Sequence, residues 1–318
     1  MSSLPRVAAR DRSRLDTSGR ALGLRREVVA TPEGEIVVHA SEPESGVAVV
    51  LLHGAAGSWT TWTPLLWAAR RAGRPLRDVV AADLPGWGES PLPASGLDIP
   101  RLSAAVVGAL RSRGYDRWVL VGHSLGGALA LDIAARFSDE TGSVFLVSPS
   151  GPAVLDAVRR PIRGGLRLPG FAGMLLAMRV LAMLGSASAP LLRWLDRVGM
   201  LRALSSPLFA RPAEVDDSVV SALAEEIRPL SFVAAARAAA AYDESAWRGI
   251  RCPVRSVRGA RDVFVGADDG SFLASTIPDF RETVLDAAGH FAAIEQSDVV
   301  AAMLRELVAA AAPLTPPR

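Results

Sequence analysis

The sequence predicts an α/β protein, a mostly parallel central sheet covered by helices, and three observations predict it. Short β-branched runs ending in glycine-bearing loops alternate with alanine- and leucine-rich helical stretches, the rhythm of helices laid over a parallel sheet. Several runs, such as VAVVLLHG at 47–54, are apolar without alternation, as strands buried on both faces are. The rhythm stops over about 151–230 and then resumes, so one core is written in two pieces with a helical insertion between them.

Taken in order, REVVATPEGEIVVHA predicts an opening hairpin, with Pro32 to Gly34 supplying the turn. The strand at 47–54 follows, then a helix over 60–72, the strand DVVAAD and the loop LPGWGES. A helix over 100–113 leads to the strand RWVLVG, which ends at Gly122. SVFLVSPS at 143–150 is a further core strand. The insertion carries apolar helical segments separated by Gly and Pro, the last of them ended by Pro229. CPVRSVRG at 252–259 and FRETVLD at 280–286 restore the sheet, and a terminal helix covers 292–311. The expected organisation is a flexible basic segment 1–24, a core of 25–150 and 231–311, a helical cap of 151–230 and a tail of 312–318 that loses helix support at its prolines.

Composition removes several functions. The formal charge is only +2, and the basic side chains are mixed with acids along the chain, which argues against nucleic acid as a partner. All 35 basic residues are arginine, so a lysine Schiff base and a lysine-bearing phosphate loop are excluded. The one cysteine, Cys252, can form neither an intrachain disulfide nor a multi-cysteine metal site. The amino-terminal residues lack the apolar stretch of a signal peptide, and GFAGMLLAMRVLAMLG at 170–185 is too short, and too interrupted by Arg179, for a membrane span. The expectation is a cytoplasmic protein without transmembrane anchoring, a monomer or homodimer, with no cofactor and no metal.

The strongest local signal is VLVGHSLGGALALDIAARF. A buried strand runs into G-H-S-L-G-G and straight on into a helix, with Gly122 and Gly126 flanking Ser124 at distance two. Residues without side chains permit the sharp turn that would project the serine at a helix amino terminus, where amide hydrogens stabilise negative charge. A serine hydroxyl is a weak nucleophile and needs a base. The histidines are His39, His53, His123 and His290. His53 ends a strand and suits a loop-shaping role, and His123 points differently around the elbow. His290 follows the last strand, where a loop can carry its ring back over the sheet. The histidine needs a carboxylate to orient it. Asp262 stands at a strand end 28 residues before His290, whereas Asp268 and Asp269 read as a solvated turn and Asp286 belongs to the following strand or its end.

Three motifs in order, LLHGAAGS at 51–58, DLPGWGES at 83–90 and GHSLGG at 122–127, resemble the α/β-hydrolase fold family, in particular its cap-bearing serine hydrolases, over roughly residues 25 to 311. The resemblance implies a cap after the sixth strand, an acyl-enzyme on Ser124, His290 as base and Asp262 as its acid. It also implies an oxyanion hole from the backbone amides of Leu125 and Ala55, although the neighbouring Ala56 can take the latter place. Asp83 reads as an organiser of backbone donors in its own loop.

Trp59, Trp62 and Trp87 near the loops, with Met174, Met178 and Trp194 in the insertion, are the expected substrate pocket, although each also suits ordinary packing. The substrate expected is a small or medium hydrophobic carboxylic ester. Carbon–carbon hydrolysis of activated diketones, thioester or amide hydrolysis, and a non-catalytic ligand-binding role are the alternatives. An aspartate at the elbow, as in similar-looking epoxide and haloalkane hydrolases, is absent.

Overall fold

The computed structural model describes residues 9–311; the first eight residues of the amino-terminal segment and the tail 312–318 lie outside the described residues. Eight strands form one sheet: β1 (Arg25–Thr31), β2 (Gly34–Ala40), β3 (Val47–Leu52), β4 (Val79–Asp83), β5 (Arg117–His123), β6 (Thr141–Val147), β7 (Val254–Gly259) and β8 (Phe280–Leu285). Their spatial order is β1-β2-β4-β3-β5-β6-β7-β8. The hairpin expected from 26–40 forms, and β1 with β2 and β2 with β4 pair antiparallel. Every other neighbouring pair is parallel.

The unalternated strands are explained by burial on both faces. Val50, Leu52, Val80 and Leu120 pack into one core, while Val49, Leu51, Val79 and Val121 pack into another across the sheet. Helices Ile99–Ser112 and Leu125–Arg136 cover the first face, and Thr63–Arg71 with Ser297–Ala311 the second. Asp98 starts the first of these by accepting the Arg101 amide at 3.1 Å, with Pro100 in the first turn.

The insertion between β6 and β7 is helical, with helices at Pro152–Arg159, Pro161–Arg167, Pro169–Met183, Ser188–Arg197, Met200–Ser205, Asp217–Glu226 and Pro229–Ala241. Four of the seven open on a proline, whose missing N–H costs nothing in a first turn. Helix Asp217–Glu226 stops ahead of Pro229 as expected, and Pro229 itself opens the next helix. That helix crosses the boundary expected at 230 and packs on Pro169–Met183 and Pro152–Arg159. Phe171, Leu175, Met178, Val219, Leu223 and Phe232 form a third core, which Phe264, Phe291 and Ile294 join from the sheet side.

The described part of the segment expected to be flexible, residues 9–24, is docked. Leu15 is buried in the third core, its amide donates to Ser218 Oγ at 3.0 Å, and the Asp16 amide donates to Thr63 Oγ1 at 2.9 Å. No single helix among the described residues is long and apolar enough to cross a membrane; Pro169–Met183 and Gly185–Arg197 pass that test only together, and they are bent by 116°.

Candidate active site

Ser124 sits between β5 and helix Leu125–Arg136 with φ 51° and ψ −117°, a conformation L-residues avoid. Its backbone is pinned to β6 and the segment beyond: its N–H donates to the Val147 carbonyl at 3.2 Å and its carbonyl accepts the Ser150 N–H at 2.9 Å. The flanking glycines are required by close approach. A Cβ on Gly122 would collide with the Gly126 carbonyl, and one on Gly126 with the Leu52 carbonyl. The turn therefore stands flush against β3, and Ser124 lines the cavity above the sheet.

His290 follows β8 and Asp262 follows β7, so both reach the site from the carboxyl ends of parallel strands. His290 Nδ1 lies 3.1 Å from each oxygen of Asp262. The Asp262 side chain is 0% exposed. Burial alone would raise its pKa, yet His290 beside it and the Phe264 N–H, donating to Oδ1 at 2.8 Å, hold it below the ordinary value. Ser124 and His290 line the same cavity. The solvated turn expected of Asp268 and Asp269 holds for the first and not the second. Buried Asp269 accepts the Ala153 and Gly266 amides at 2.9 Å each, and burial pushes its pKa up to about 6; Asp268 is exposed.

The remaining histidines hold the scaffold. His53 Nε2 accepts the Leu84 amide at 3.0 Å, which places its proton on Nδ1, 2.7 Å from the Gly54 carbonyl. Burial lowers its pKa, keeping that neutral tautomer. His123 Nε2 donates to the His290 carbonyl at 3.0 Å, and burial pushes its pKa down to about 3. Asp83 Oδ1 and Oδ2 accept the Trp59 and Glu89 amides at 2.9 Å each, tying together the two loops beside the site.

Leu125, Ala55 and Ala56 all line the cavity. Leu125 is the first residue of its helix, where the amide has no partner of its own in the helix. Of the six side chains expected in the pocket, Met174 alone lines the cavity. Trp59 and Trp62 turn inward into the sheet's second core, Trp59 stacking on His39 with ring centroids 3.9 Å apart. Trp87 is buried and donates to the Ala55 carbonyl at 2.7 Å, so it braces the loop from behind. Met178 packs inside the insertion, and Trp194 is 52% exposed on its outside. Strand-end position locates a loop, but not the direction its aromatic rings take.

The cavity wall is built by residues the sequence reading passed over. Phe264 and Phe291 flank His290 with ring centroids 4.8 and 5.6 Å away, and Leu208, Phe171 and Phe232 come from the insertion. Val154, Leu155, Ala235 and Tyr242 carry the apolar lining away from Ser124. The adjacency of Phe264 to Asp262 and of Phe291 to His290 was the available signal. Glu295 was also missed. Its carboxylate accepts the Gly289 N–H at 2.6 Å, the Ala210 N–H at 2.7 Å and the Arg211 N–H at 3.2 Å, and the His290 N–H donates to the Leu208 carbonyl at 2.8 Å. The loop carrying His290 is thus fastened to the insertion.

The chain is 30% identical over 270 residues to a pimeloyl-[acyl-carrier protein] methyl ester esterase of Aromatoleum aromaticum, covering 82% of this chain and 97% of the relative. It is 27% identical over 280 residues to a 2-hydroxy-6-oxo-6-phenylhexa-2,4-dienoate hydrolase of Burkholderia cepacia, covering 82% and 87%. A match of 35% over 111 residues to a dihydrolipoyllysine-residue acetyltransferase component of the Pseudomonas putida acetoin cleaving system spans only 28% of that relative's length. A thermophilic esterase from Thermogutta terrifontis shares the fold, with a TM-score of 0.67 at 21% identity over 91% of this chain and all of the other. The profile of the alpha/beta hydrolase family matches residues 49–303, from β3 through the elbow, the insertion and the His290 loop into the terminal helix, and the chain belongs to that family.

Proposed function

We propose that the protein is a serine hydrolase that cleaves small or medium hydrophobic carboxylic esters through an acyl-enzyme on Ser124. The observation that carries the reading is the buried Asp262 carboxylate bracketing His290 Nδ1 at 3.1 Å from both oxygens, with His290 and Ser124 on one apolar cavity. Asp262 fixes the proton on Nδ1 and leaves Nε2 free to accept the Ser124 proton as the hydroxyl oxygen attacks the ester carbonyl. The carbonyl π electrons move to oxygen, and the amides of Leu125 and Ala55 receive that charge. Collapse of the tetrahedral species breaks the bond to the alcohol oxygen, which takes the proton from His290. Water, deprotonated by His290, attacks the acyl-enzyme in the same way, releasing the acid and restoring the Ser124 hydroxyl. Asp262 stays charged and makes the transient imidazolium less costly.

An apolar wall favours a hydrophobic acyl or alcohol group. The second reading, carbon–carbon hydrolysis of an activated diketone, is kept open by the Burkholderia cepacia relative. Against it, no arginine lines the cavity among the described residues, so a substrate carboxylate has no cationic partner there. The test is hydrolysis of p-nitrophenyl esters from acetate to long acyl chains beside Ser124→Ala. Turnover lost in the variant supports the reading, and its chain-length optimum sizes the cavity. No Ser124-dependent turnover across the series overturns ester hydrolysis.

A further inference from the structure

The insertion carries a second feature that ester hydrolysis does not use. Ten of the sixteen large hydrophobic side chains exposed among the described residues lie between 162 and 204. Helix Pro169–Met183 is apolar on both sides. Phe171, Leu175 and Met178 face inward at helical spacing and are buried, while Leu176, Val180, Met183 and the following Leu184 form an outward stripe at the same spacing. Just before it, Ile162 and Leu166 are 84% and 81% exposed. A helix apolar all round belongs in a core or against hydrocarbon, and here one side is open to solvent.

The charge of the same stretch is one-sided. Residues 157–205 hold eight arginines and one aspartate, in a chain whose formal net charge is +2. Carboxylates from outside the stretch, Asp156, Asp217, Glu225 and Glu244, pair with some of them. Counting these leaves five acids to eight arginines, and Arg163, Arg179 and Arg197, with Arg237 from the neighbouring helix, are without an ion pair among the described residues. Beside the outward stripe runs a groove between helices Pro169–Met183 and Pro229–Ala241, walled by Leu175, Met183, Leu230 and Val233, with Arg179 and Arg237 at it. Val158 and Ala236 line both this groove and the cavity that holds Ser124.

We propose that this face of the insertion docks on an anionic lipid surface, with the Leu176–Leu184 stripe entering the headgroup layer while Arg163, Arg179 and Arg237 meet lipid phosphates. Exposed leucines and methionines between free guanidinium groups are the chemistry of a helix lying in the membrane interface, and long arginine stems reach from an apolar bed to a phosphate plane. A second copy of the chain fits less well, because a two-fold contact through this face would set the same unpaired arginines against each other. Helix Pro169–Met183 is not by itself long and apolar enough to cross a bilayer, and the helical pair it opens is bent by 116°, so on this proposal it lies in the interface. Docked there, the groove opens towards lipid, and the two side chains it shares with the cavity stand between a membrane-borne amphiphile and Ser124. Binding itself does not depend on the proposed hydrolysis.

The test is flotation of the full chain carrying Ser124→Ala, so that lipid is not consumed, with phosphatidylcholine vesicles and with vesicles of phosphatidylcholine and phosphatidylglycerol. The protein is expected to float with the anionic vesicles and to stay below with the neutral ones. Leu176→Ser/Val180→Ser/Leu184→Ser, three exposed positions on neither groove nor cavity, lowers the partition coefficient about tenfold or more. The same triple change in the Ser124 protein leaves p-nitrophenyl acetate turnover unchanged, which certifies its fold. Arg179→Gln and Arg237→Gln each lower binding to anionic vesicles about fivefold and decide the matter should the triple variant not fold. Failure to float with anionic vesicles, flotation of the triple variant like its parent, or a dimer that the triple change converts to monomer overturns the proposal, the last by showing that a second copy covers the face.

Discussion

Replacing Asp262 with asparagine tests the proposed chemistry at the point where the structure is most explicit. The carboxylate lies 3.1 Å through each oxygen from His290 Nδ1 and is out of reach of solvent. In the proposed mechanism its charge offsets that of the imidazolium formed as Ser124 attacks. For unit charges 3 to 4 Å apart at an effective dielectric of about 20, the offset is about 4 to 5.5 kcal/mol. With no water to replace it, nearly all of that appears in the barrier, a fall in kcat of about 1,000- to 5,000-fold. The amide adds a tautomer error, because its NH2 group turned towards Nδ1 draws the histidine proton onto Nε2, the nitrogen that must accept from serine. The KM for a p-nitrophenyl ester should barely move, since Asp262 does not line the cavity. Asp268→Asn, exposed on the same loop, is the matched control and should leave kcat within twofold. Kinetics with short-chain esters at neutral pH, with circular dichroism to certify the fold, read both numbers. An Asp262→Asn protein within tenfold of its parent refutes the assignment of Asp262 and sends the search for the acid elsewhere on the His290 ring.

The same carboxylate sets an acid limb. Because its folded pKa is depressed, Asp262 contributes stability that is present above the unfolded value of about 3.9 and lost as pH falls through the folded one. Urea melts of Asp262→Asn below about pH 4 should therefore be flatter with pH than those of the parent. Glu295→Ala strips an acceptor from three backbone amides, and at about 1 to 3 kcal/mol for each amide left unsatisfied it should lower unfolding free energy by about 3 kcal/mol or more. Glu295→Gln keeps one oxygen and should lose about half of that, with kcat reduced before Tm because the His290 loop loosens first. Gly126→Ala meets the Leu52 carbonyl of the adjacent strand, so the expected result is insoluble protein or a folded one whose elbow is displaced and without phosphonate labelling at Ser124. Phe232→Ala opens the cavity wall and should move the optimum ester towards longer acyl chains, whereas Trp62→Ala, buried in the sheet's second core and away from the cavity, should cost stability of about 3 to 5 kcal/mol and leave the chain-length optimum where it was.

The parts of this molecule legible in the sequence are those whose cause is local. Ser124 could be placed because the strand, the two glycines and the helix that hold it are consecutive, and Asp262 and His290 because each follows a recognisable strand end. The insertion's lining could not be read, since apolar residues recur on both sides of Pro169–Met183 and the chain alone does not say which stripe meets Phe232 and which meets solvent. The tryptophans failed for a related reason: Trp59 and Trp62 sit on a single helical turn whose start is set by Ser58 and whose Trp59 amide is held by Asp83, and that turn aims both rings under the loop.

Glu295 and Leu208 were invisible because their partners are remote in sequence, yet they change how the two halves of the molecule relate. His290 takes its ring orientation from Asp262 on the sheet and its backbone anchor from Leu208 in the insertion. Glu295 binds Gly289 with one oxygen and Ala210 with the other, so the loop bearing His290 and the insertion segment whose Leu208 lines the cavity share a single carboxylate. The backbone around His290 is therefore tied to the insertion by hydrogen bonds through Leu208 and Glu295, and not by packing alone. On the proposed mechanism the insertion is part of the catalytic scaffold, and exchanging residues 206–211 for an unrelated loop should reduce kcat on even the smallest ester, where acyl-chain selection has nothing to act on.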